Sequence, residues 1–436
     1  MRKVLIMLLA ASMLAASLIA CSKSGDDTSE TGTGTGAGTT APIEATTAIP
    51  RFDYMDADVA GDVAISREDY TNLTLAIPNS LKITDEDVQA YIRSSILFSR
   101  RTADNGTAMV KDKPLKIGDD AYIYFRGFVD GKEFDGGSNW DAESPRSLGL
   151  GSGAFIPGFE EALVGLVPNT TSKSKPTEIK VTFPEDYTEE LAGKEATFQI
   201  VVEYAVQYTL PEYTRDFVVN TLKYKPKDDF YASDEALLDE FEDYVYETLV
   251  AKNATNVENA KVDALWNHLT EKAVCSNLPE NEVAYYKDAY TSEVEYYFDY
   301  YTSTGGEEFK KLYPNIDVFA PVYLGLKKGE DWKARVTEMS ELMVCRDMIT
   351  HAIAEKEGLE TVTKEEFDAQ VNIWVEQYQG YMTAEDIIQN MGEVFLTEAA
   401  FTEKLDKWLM DQVTFTYEDG TPLVSNTENE AETETA

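Results

Sequence analysis

Three stretches decide the fold of the region from Gly118 to Tyr208: YFRGFVDGKEFDGG (124–137), GSGAFIPGFEEAL (151–163) and VTFPEDYTEELAGKEATF (181–198). In much of the first and third, side chains alternate between apolar and polar, which is typical of half-buried strands. In the second, the apolar residues after a Pro-Gly pair recur at helical spacing. The pattern predicts an antiparallel sheet curved over one short helix.

The predicted strands and helix can be placed residue by residue. Asp130-Gly131 predicts a type I′ hairpin turn, because both positions of that turn have positive φ. The first strand has Ile123 and Phe125 on one face, and on the other face Tyr122, Tyr124 and Arg126. Later strands alternate at Ile179, Val181 and Phe183, and then at Ala196, Phe198, Ile200, Val202 and Tyr204. The short helix has its apolar face at Phe159, Ala162, Leu163 and Leu166.

The N-terminus has the pattern of an export signal. Residues 1–20 begin with Met-Arg-Lys and continue as an uncharged apolar run that is too short for a typical membrane span. The run ends Leu-Ile-Ala-Cys, which resembles the bacterial lipobox and implies lipidation of Cys21. Residues 21–50 are rich in Thr, Gly, Ser and Ala, so we expect a flexible tether that connects the folded protein to a membrane.

The charge balance excludes one class of partner. The chain has 79 acidic and 38 basic side chains and a formal net charge of −41. Nucleic acid is not expected as a partner, because such binding needs a basic surface. The simplest interpretation of the acidity is solubility and mutual repulsion at a crowded surface.

Cysteine and histidine offer little for nucleophilic or metal chemistry. Cys275 and Cys345 show neither a disulfide framework nor zinc spacing. They could pair in an exported protein, but we expect two buried free thiols in helical stretches. His268 and His351 lie far apart in the sequence, and both are expected to be ordinary helix residues.

The sequence predicts mainly helices both before and after the segment that forms the sheet. On the N-terminal side, residues 73–77 predict a short strand, and Thr84 with Asp87 predicts the start of a helix. After Pro211 the chain is expected to be helical to about Val413, including an apolar face at Tyr286, Tyr290, Val294, Tyr297 and Tyr301. Thr363 with Glu366 resembles a capping box, and the helix that follows has its stripe at Phe367, Val371, Trp374 and Tyr378.

The three stretches between Gly118 and Tyr208 together resemble the FKBP-type peptidyl-prolyl isomerase domain. The resemblance implies catalysis without a nucleophile, an acid–base pair or a cofactor, since rotation about an amide breaks no bond. An apolar pocket that excludes water would favour the twisted transition state over the planar amide. The candidate catalytic residues that match the family are Phe125, Phe134, Asp135, Phe155, Ile156, Phe159 and Phe198.

The resemblance also implies individual roles. The backbone N–H of Ile156 would donate to the substrate carbonyl, Asp135 would order the pocket, and Phe159 would form its floor. Tyr187 and Leu191 are weaker matches in the flap. Two features depart from the family pattern: Phe125 stands where many relatives have tyrosine, and Arg146 stands where trigger-factor-like members have phenylalanine. Arg146 could open the pocket rim or recruit acidic clients.

The regions outside this domain resemble bacterial trigger factor from its linker to its C-terminus. The motifs are TDEDV (84–88), LPEYTRDFV (210–218), LPENEVAYY (278–286) and AEKEGLETVTKEEFDAQV (354–371). The family's basic ribosome-docking domain finds no match, so no ribosome docking is expected. The helical region would then bind unfolded clients, with the tyrosines that lie off the predicted stripe, such as Tyr285, Tyr296 and Tyr300, as contact candidates.

The sequence therefore predicts an α+β chain with an FKBP-like sheet and an all-α, trigger-factor-like chaperone domain. The expected parts are a lipoprotein signal (1–20), a tether (21–50), a linker strand and helix (51–115), an isomerase domain (116–208), a helical domain (209–420) and an acidic tail (421–436). The expected function is a lipid-anchored, extracytoplasmic isomerase and chaperone for proline-containing exported polypeptides. A non-catalytic client-binding chaperone or adaptor is the alternative. A solute-binding lipoprotein fits the anchor alone, since no pair of α/β lobes is visible.

Overall fold

The computed structural model describes residues 59–184, 187–188, 191–227, 233–326, 330–378 and 381–423. The predicted signal, the tether with Cys21 and most of the predicted acidic tail lie outside the described residues and stay predictions. Contacts divide the chain into two compact units. One is Asn79–Asn256, and the other combines residues 59–78 with 257–423. The predicted domain limits at 116 and 208 fall inside the first unit and also stay predictions.

A five-stranded sheet forms the centre of the unit Asn79–Asn256. The strands are β4 (Asp120–Val129), β5 (Lys132–Ser138), β6 (Arg146–Gly149), β7 (Thr177–Thr182) and β8 (Glu195–Val206). Their order is β5-β4-β8-β7, and β6 pairs with the first half of β4 on the same edge that β5 uses farther along. All of these pairings are antiparallel. The predicted antiparallel sheet is confirmed.

The alternating side chains bury the expected face of the sheet. Ile123 and Phe125 on β4 are buried, and so are Ile179 and Val181 on β7. The β4–β5 turn has φ values of 51° at Asp130 and 75° at Gly131, as a type I′ turn requires. The sequence pattern alone predicts this turn correctly, because only the two residues of the turn determine its type.

The predicted alternation on β8 is wrong at its last position. The register shifts within the β4–β8 pair, because Tyr122 lies opposite Tyr204 whereas Ile123 lies opposite Val202. This irregularity adds one residue to β8, so that Ala205 takes the buried position. Tyr204 leaves the core face and stacks on Tyr122, with ring centroids 4.2 Å apart.

The predicted short helix is a single 3₁₀ turn, Glu161–Leu163. Phe159 and Leu163 are fully buried, whereas Ala162 is exposed. The turn ends before Gly165, which has a φ of 88°. The predicted apolar face is therefore shorter than a helix of several turns would have provided.

A small helical cluster completes this unit. Helix α1 (Asp85–Tyr91) begins at Thr84 with the predicted capping box, in which the Thr84 N–H donates to Asp87 at 2.8 Å. A π-helical segment (Ile92–Leu97) and a 3₁₀ turn (Phe98–Arg100) follow it. Val88 and Ile92 pack against Phe217 of a second π-helical segment, Phe217–Thr221. Two short strands, β3 (Thr102–Thr107) and β9 (Tyr208–Thr209), pair beside the sheet.

The second unit is mainly helical. The helices are α2 (Asp234–Lys272), α3 (Glu280–Thr304), α4 (Gly306–Leu312), α5 (Ile316–Tyr323), α6 (Trp332–Glu357), α7 (Lys364–Gln377), α8 (Ala384–Met391) and α9 (Glu393–Asp411). Helix α2 begins in the first unit and ends in the second. The predicted capping box at Thr363 and Glu366 is confirmed at the start of α7. Gly358 closes α6 in the left-handed conformation, with a φ of 69°. The α+β class is confirmed.

Four short strands in this unit join segments that are distant in sequence. The predicted strand β2 (Leu73–Ile77) pairs in parallel with β11 (Val413–Tyr417), and β1 (Val63–Ala64) pairs with β10 (Val274–Cys275). The expectation of helix alone from Pro211 to about Val413 is therefore wrong at β10. No local signal marks that strand, because it consists of two residues and is stabilised by its partner.

Hydrogen bonds between polar side chains also attach residues 59–78 to α6. The Arg67 guanidinium donates to both carboxylate oxygens of Glu357, at 2.9 and 3.1 Å. The Tyr70 hydroxyl donates to the same carboxylate at 2.9 Å. These hydrogen bonds hold the pKa of Glu357 below its usual range, whereas burial and the carboxylate raise the pKa of Tyr70 to about 12.

Cys275 and Cys345 form a disulfide, with Cα atoms 5.8 Å apart and a sequence separation of 70 positions. The expectation of two free thiols is wrong, and Cys275 lies in β10, outside the helices. The pairing arises because β10 packs beside α6, which carries Cys345. In the part of the chain that the structure describes, no helix is long and apolar enough to cross a bilayer.

We expect reduction of this disulfide to lower the free energy of unfolding by about 2–4 kcal/mol, because the bond closes a long loop in the unfolded chain. Guanidinium unfolding followed by circular dichroism, with and without dithiothreitol, measures the difference. In Cys345→Ser the reductant should have no effect. Peptide mapping that finds both thiols alkylated without prior reduction would contradict the pairing.

Candidate functional site

A cleft of about 410 Å³ lies in the unit Asn79–Asn256, against the core face of the sheet. Its lining combines residues from the strands with residues from the connections between them. The described residues that line it are Phe125, Phe134, Gly136, Gly137, Arg146, Ala154, Phe155, Ile156, Pro157, Phe159, Phe183, Pro184, Tyr187 and Phe198. The cleft is thus mostly aromatic and aliphatic.

Four phenylalanines form the floor and the adjoining wall. Phe159 is fully buried, and its ring centroid lies 5.0 Å from that of Phe198 and 4.7 Å from that of Phe155. Phe125 meets Phe155 and Phe159 edge to face, with centroids 5.8 and 6.1 Å apart. Edge-to-face contacts of this kind favour one fixed arrangement of the rings.

Phe134 forms a second wall, and two glycines make room for it. Its ring packs edge to face against Phe183 and Phe198, with centroids 5.6 and 5.8 Å away. A Cβ atom at Gly127 would lie 2.6 Å from the Phe134 ring, and one at Gly137 would lie 2.5 Å from it. Any larger residue at these two positions would displace the wall.

A buried carboxylate shapes the loop that carries Phe155 and Ile156. Glu160 is 3% exposed. One of its oxygens accepts the backbone N–H groups of Gly151 and Gly153, at 2.7 and 3.2 Å. The other accepts those of Ala154 and Phe155, at 2.9 and 3.2 Å, and the hydroxyl of Ser152 at 3.1 Å. The cage fixes the loop just before Ile156, whose carbonyl accepts the N–H of Phe159 at 3.1 Å.

The rim of the cleft is more polar than its floor. Tyr187 is 44% exposed, and its ring lies 4.7 Å from that of Phe183. Arg146 is exposed on β6, with its guanidinium carbon 5.2 Å from the centroid of Phe155. Leu191 packs against the core of the domain but is not among the described lining residues.

Most of the residues predicted from sequence meet in this cleft. Phe125, Phe134, Phe155, Ile156, Phe159 and Phe198 all line it, as do Arg146 and Tyr187. The backbone of Asp135 lies on β5, and its side chain is outside what the structure describes. The catalytic roles given to these residues stay predictions.

Sequence reasoning missed several parts of the site. The alternation predicts only a strand position for Phe183 and no role for Pro184, yet both line the cleft. Glu160 was not singled out, because one acidic residue in a short helix usually faces solvent. Its signal was present in the preceding glycine-rich loop, whose backbone N–H groups need acceptors.

The aromatic and aliphatic lining of the cleft is suited to binding an apolar group and removing it from water. Its described lining residues include no carboxylate, imidazole or thiol. No group of three or more potential metal ligands occurs among the described residues of the chain. His268 and His351 lie in the other unit, on α2 and α6. Such a cleft can hold a compact apolar group away from water.

Comparison with known proteins is consistent with this geometry. Residues 111–207 match the family described as FKBP-type peptidyl-prolyl cis-trans isomerase. Trigger factor of Shouchella clausii (strain KSM-K16) is 32% identical over 316 residues, which cover 71% of this chain and 63% of that relative. Trigger factor of Lactococcus lactis subsp. cremoris (strain SK11) is 41% identical over 161 residues, which cover 36% of this chain and 34% of the relative.

The similarity to the Shouchella protein reaches beyond the matched isomerase segment, although the chain spans less than two thirds of that relative's length. A solved structure of the trigger factor chaperone, concerned with promiscuous substrate recognition in folding and assembly, covers 80% of this chain and 72% of its own. Its sequence identity is 15% and its TM-score is 0.31, too low for an inference. The sequence matches confirm the resemblance to FKBP-type isomerases and to trigger factors.

We expect Glu160→Gln to lower the free energy of unfolding by about 1–3 kcal/mol, because the amide nitrogen cannot accept the N–H groups that one carboxylate oxygen now accepts. Hydrogen exchange at residues 151–155, measured by mass spectrometry, should accelerate. Glu161→Gln is the matched control, since Glu161 is exposed and accepts one N–H, from Gly158. Equal exchange in both variants and in the unaltered protein would exclude a positioning role.

Proposed function

We propose that this chain catalyses cis/trans isomerisation of X-Pro bonds in unfolded polypeptides and holds those polypeptides while they fold. The observation that carries the proposal is the aromatic cleft, which lies within the segment that matches FKBP-type isomerases. The chain's similarity to trigger factors beyond that segment supports the holding function. The X-Pro peptide bond needs a catalyst because its isomerisation otherwise takes tens to hundreds of seconds.

The cleft suits this reaction for an electronic reason. Amide resonance creates a barrier of about 18–20 kcal/mol and a strongly polar planar ground state. The twisted transition state has lost conjugation and part of that charge separation, so it is less penalised in an apolar, dry site. The pyrrolidine ring would rest on Phe159 between Phe125 and Phe198.

Two polar groups complete the proposed mechanism. The backbone N–H of Ile156 would donate to the substrate carbonyl, and the Glu160 cage holds the loop that ends at this residue. Asp135 would order the pocket, as the FKBP resemblance implies. No proton or leaving group moves, so the residues act only by binding, orienting and excluding water.

The helical unit offers exposed apolar surface for client segments. Tyr286 and Tyr290 on α3 are buried, whereas Tyr300 and Tyr301 near the end of that helix are 48% and 40% exposed. Val322 on the nearby α5 is 59% exposed. Tyrosine binds apolar and polar peptide segments alike, which suits a chaperone that binds clients of varied sequence.

We further propose that the protein works outside the cytoplasm, attached to the cell membrane by lipid on Cys21. The signal-like residues 1–20 and the lipobox motivate this part of the proposal. The disulfide between Cys275 and Cys345 supports it, because such bonds persist mainly in oxidising compartments. On this view the clients are exported polypeptides instead of nascent chains at the ribosome.

A second candidate function is client binding without catalysis. Phe125 lacks a hydroxyl, and Arg146 places a charge at the rim of a cleft that should be apolar. The two functions differ in one measurable property, the rate of proline isomerisation.

We expect a fragment that begins at Arg51 to accelerate isomerisation of a proline tetrapeptide in a protease-coupled assay. Phe155→Ala should lower kcat/KM about tenfold, which corresponds to about 1.4 kcal/mol of transition-state stabilisation. Phe155 is half-buried, so this variant should fold. Asp135→Ala tests the role implied by resemblance.

Tyr124→Ala is the matched control for Phe155→Ala, because Tyr124 lies on the opposite face of β4 and does not line the cleft. It should keep the full rate. A wild-type rate equal to that of buffer would reject catalysis and leave the client-binding alternative, which suppression of client aggregation would then support.

We expect the full-length protein to incorporate a fatty acid in growing bacteria. Labelling with an alkyne analogue of palmitate should mark the wild type and leave Cys21→Ser unmarked, because lipidation needs the thiol. Fractionation should place the wild type with membranes. Equal labelling of both proteins would contradict lipidation at Cys21.

A further inference from the structure

Arg146 is the one charged residue among the described residues that line the cleft. It is exposed at the start of β6, where it pairs with Ile123 of β4. Its guanidinium lies over the face of Phe155, 5.2 Å from the ring centroid. Phe155 in turn stacks on the floor residue Phe159. The cation is therefore held beside the place where a proline ring would bind.

Among the described residues Arg146 has no carboxylate partner, which is also true of Arg93 and Arg100 but not of several other cations of the same unit. Arg101 pairs with Asp120 at 2.6 Å, Lys116 with Asp104 at 3.1 Å, and Lys180 with Glu195 at 2.7 Å. Among the described residues, Arg146 makes no ion pair and no side-chain hydrogen bond. The guanidinium N–H donors of Arg146 are therefore not used within the described part of the chain, and they lie at the rim of the cleft.

The contact with Phe155 leaves the guanidinium able to bind an anion. A cation–π contact uses the face of the group, whereas its N–H donors point outward in the plane. Those donors match a carboxylate, which they can bind through two parallel hydrogen bonds. The ring contact places Arg146 over Phe155 at the rim, and both roles that the sequence suggests for this arginine stay predictions.

We propose that Arg146 selects polypeptides in which a glutamate or aspartate is adjacent to the isomerising proline. This inference rests on the proposed isomerase function and names the substrate class of the same cleft. Adjacent Cα atoms are about 3.8 Å apart, so a residue bonded to a proline on the cleft floor has its side chain at the rim. There a carboxylate would meet the guanidinium, while Phe155 shields one side of the pair from water.

The size of the preference follows from the exposure of the pair. Ion pairs at exposed sites change equilibrium constants by about 1.5- to 5-fold, and salt screens them. We therefore expect kcat/KM for Glu-Pro peptides to exceed that for Gln-Pro peptides by about threefold at low salt. The ratio should approach one in 1 M NaCl, where the Debye length is about 3 Å.

The test measures kcat/KM of the full-length chain on matched Glu, Gln and Lys peptides. One series places the variable residue before the proline, and the other places it after. In Arg146→Gln the Glu-to-Gln ratio should fall to about one, and in Arg146→Glu the enzyme should prefer Lys over Gln. Arg146→Lys should retain part of the preference. Arg146 is exposed, so these variants should fold, which circular dichroism checks.

Lys180→Gln is the matched control. It removes the same charge from the same sheet, but Lys180 lies on the solvent side of β7 and does not line the cleft. It should keep the wild-type ratio. If wild type and Arg146→Gln share one ratio in both series while isomerising Gln peptides, the selectivity is refuted and the isomerase function stands. If the wild type isomerises none of the peptides, the isomerase function fails and this selectivity fails with it.

Discussion

The antiparallel pairing of β4 with β8 is the constraint on which the candidate site depends. It sets Gly127 opposite Phe198 and Phe125 opposite Ile200, so that apolar residues of two distant strands share one buried face. Most of the other walls of the cleft lie on the chain between these two strands. Phe134, Arg146, Phe159 and Phe183 all belong to that connection. The cleft therefore forms only when the two central strands have found their register.

The helical unit depends on a comparable closure between distant segments. Residues 59–78 contact the part of the chain after residue 257. The contacts are the β2–β11 pairing and the hydrogen bonds of Arg67 with Glu357. The disulfide adds a covalent link between β10 and α6. Closing such long loops costs conformational entropy, which several independent contacts together offset. The unit Asn79–Asn256 is inserted in the sequence of the other unit, because the segments before and after it both belong to that helical unit.

Sequence reasoning succeeded where the determining interactions are local. The Asp130-Gly131 turn, the Thr84 and Thr363 caps and the Gly358 helix end all depend on residues within a few positions of one another. It failed where a distant partner decides the outcome. The Cys275–Cys345 bond, the irregularity that displaces Tyr204 and the two-residue strand β10 have no local pattern that announces them.

The sequence by itself determined the α+β class, the resemblance to two families and most of the aromatic residues that line the cleft, because periodicity and motif spacing are properties of the chain. Only the tertiary structure decided how those residues face one another. It showed that Glu160 is caged beneath the loop and that Arg146 lies over Phe155 without a carboxylate partner among the described residues. Burial, ion pairing and ring geometry join residues from different strands and loops, so they arise only when the chain has folded.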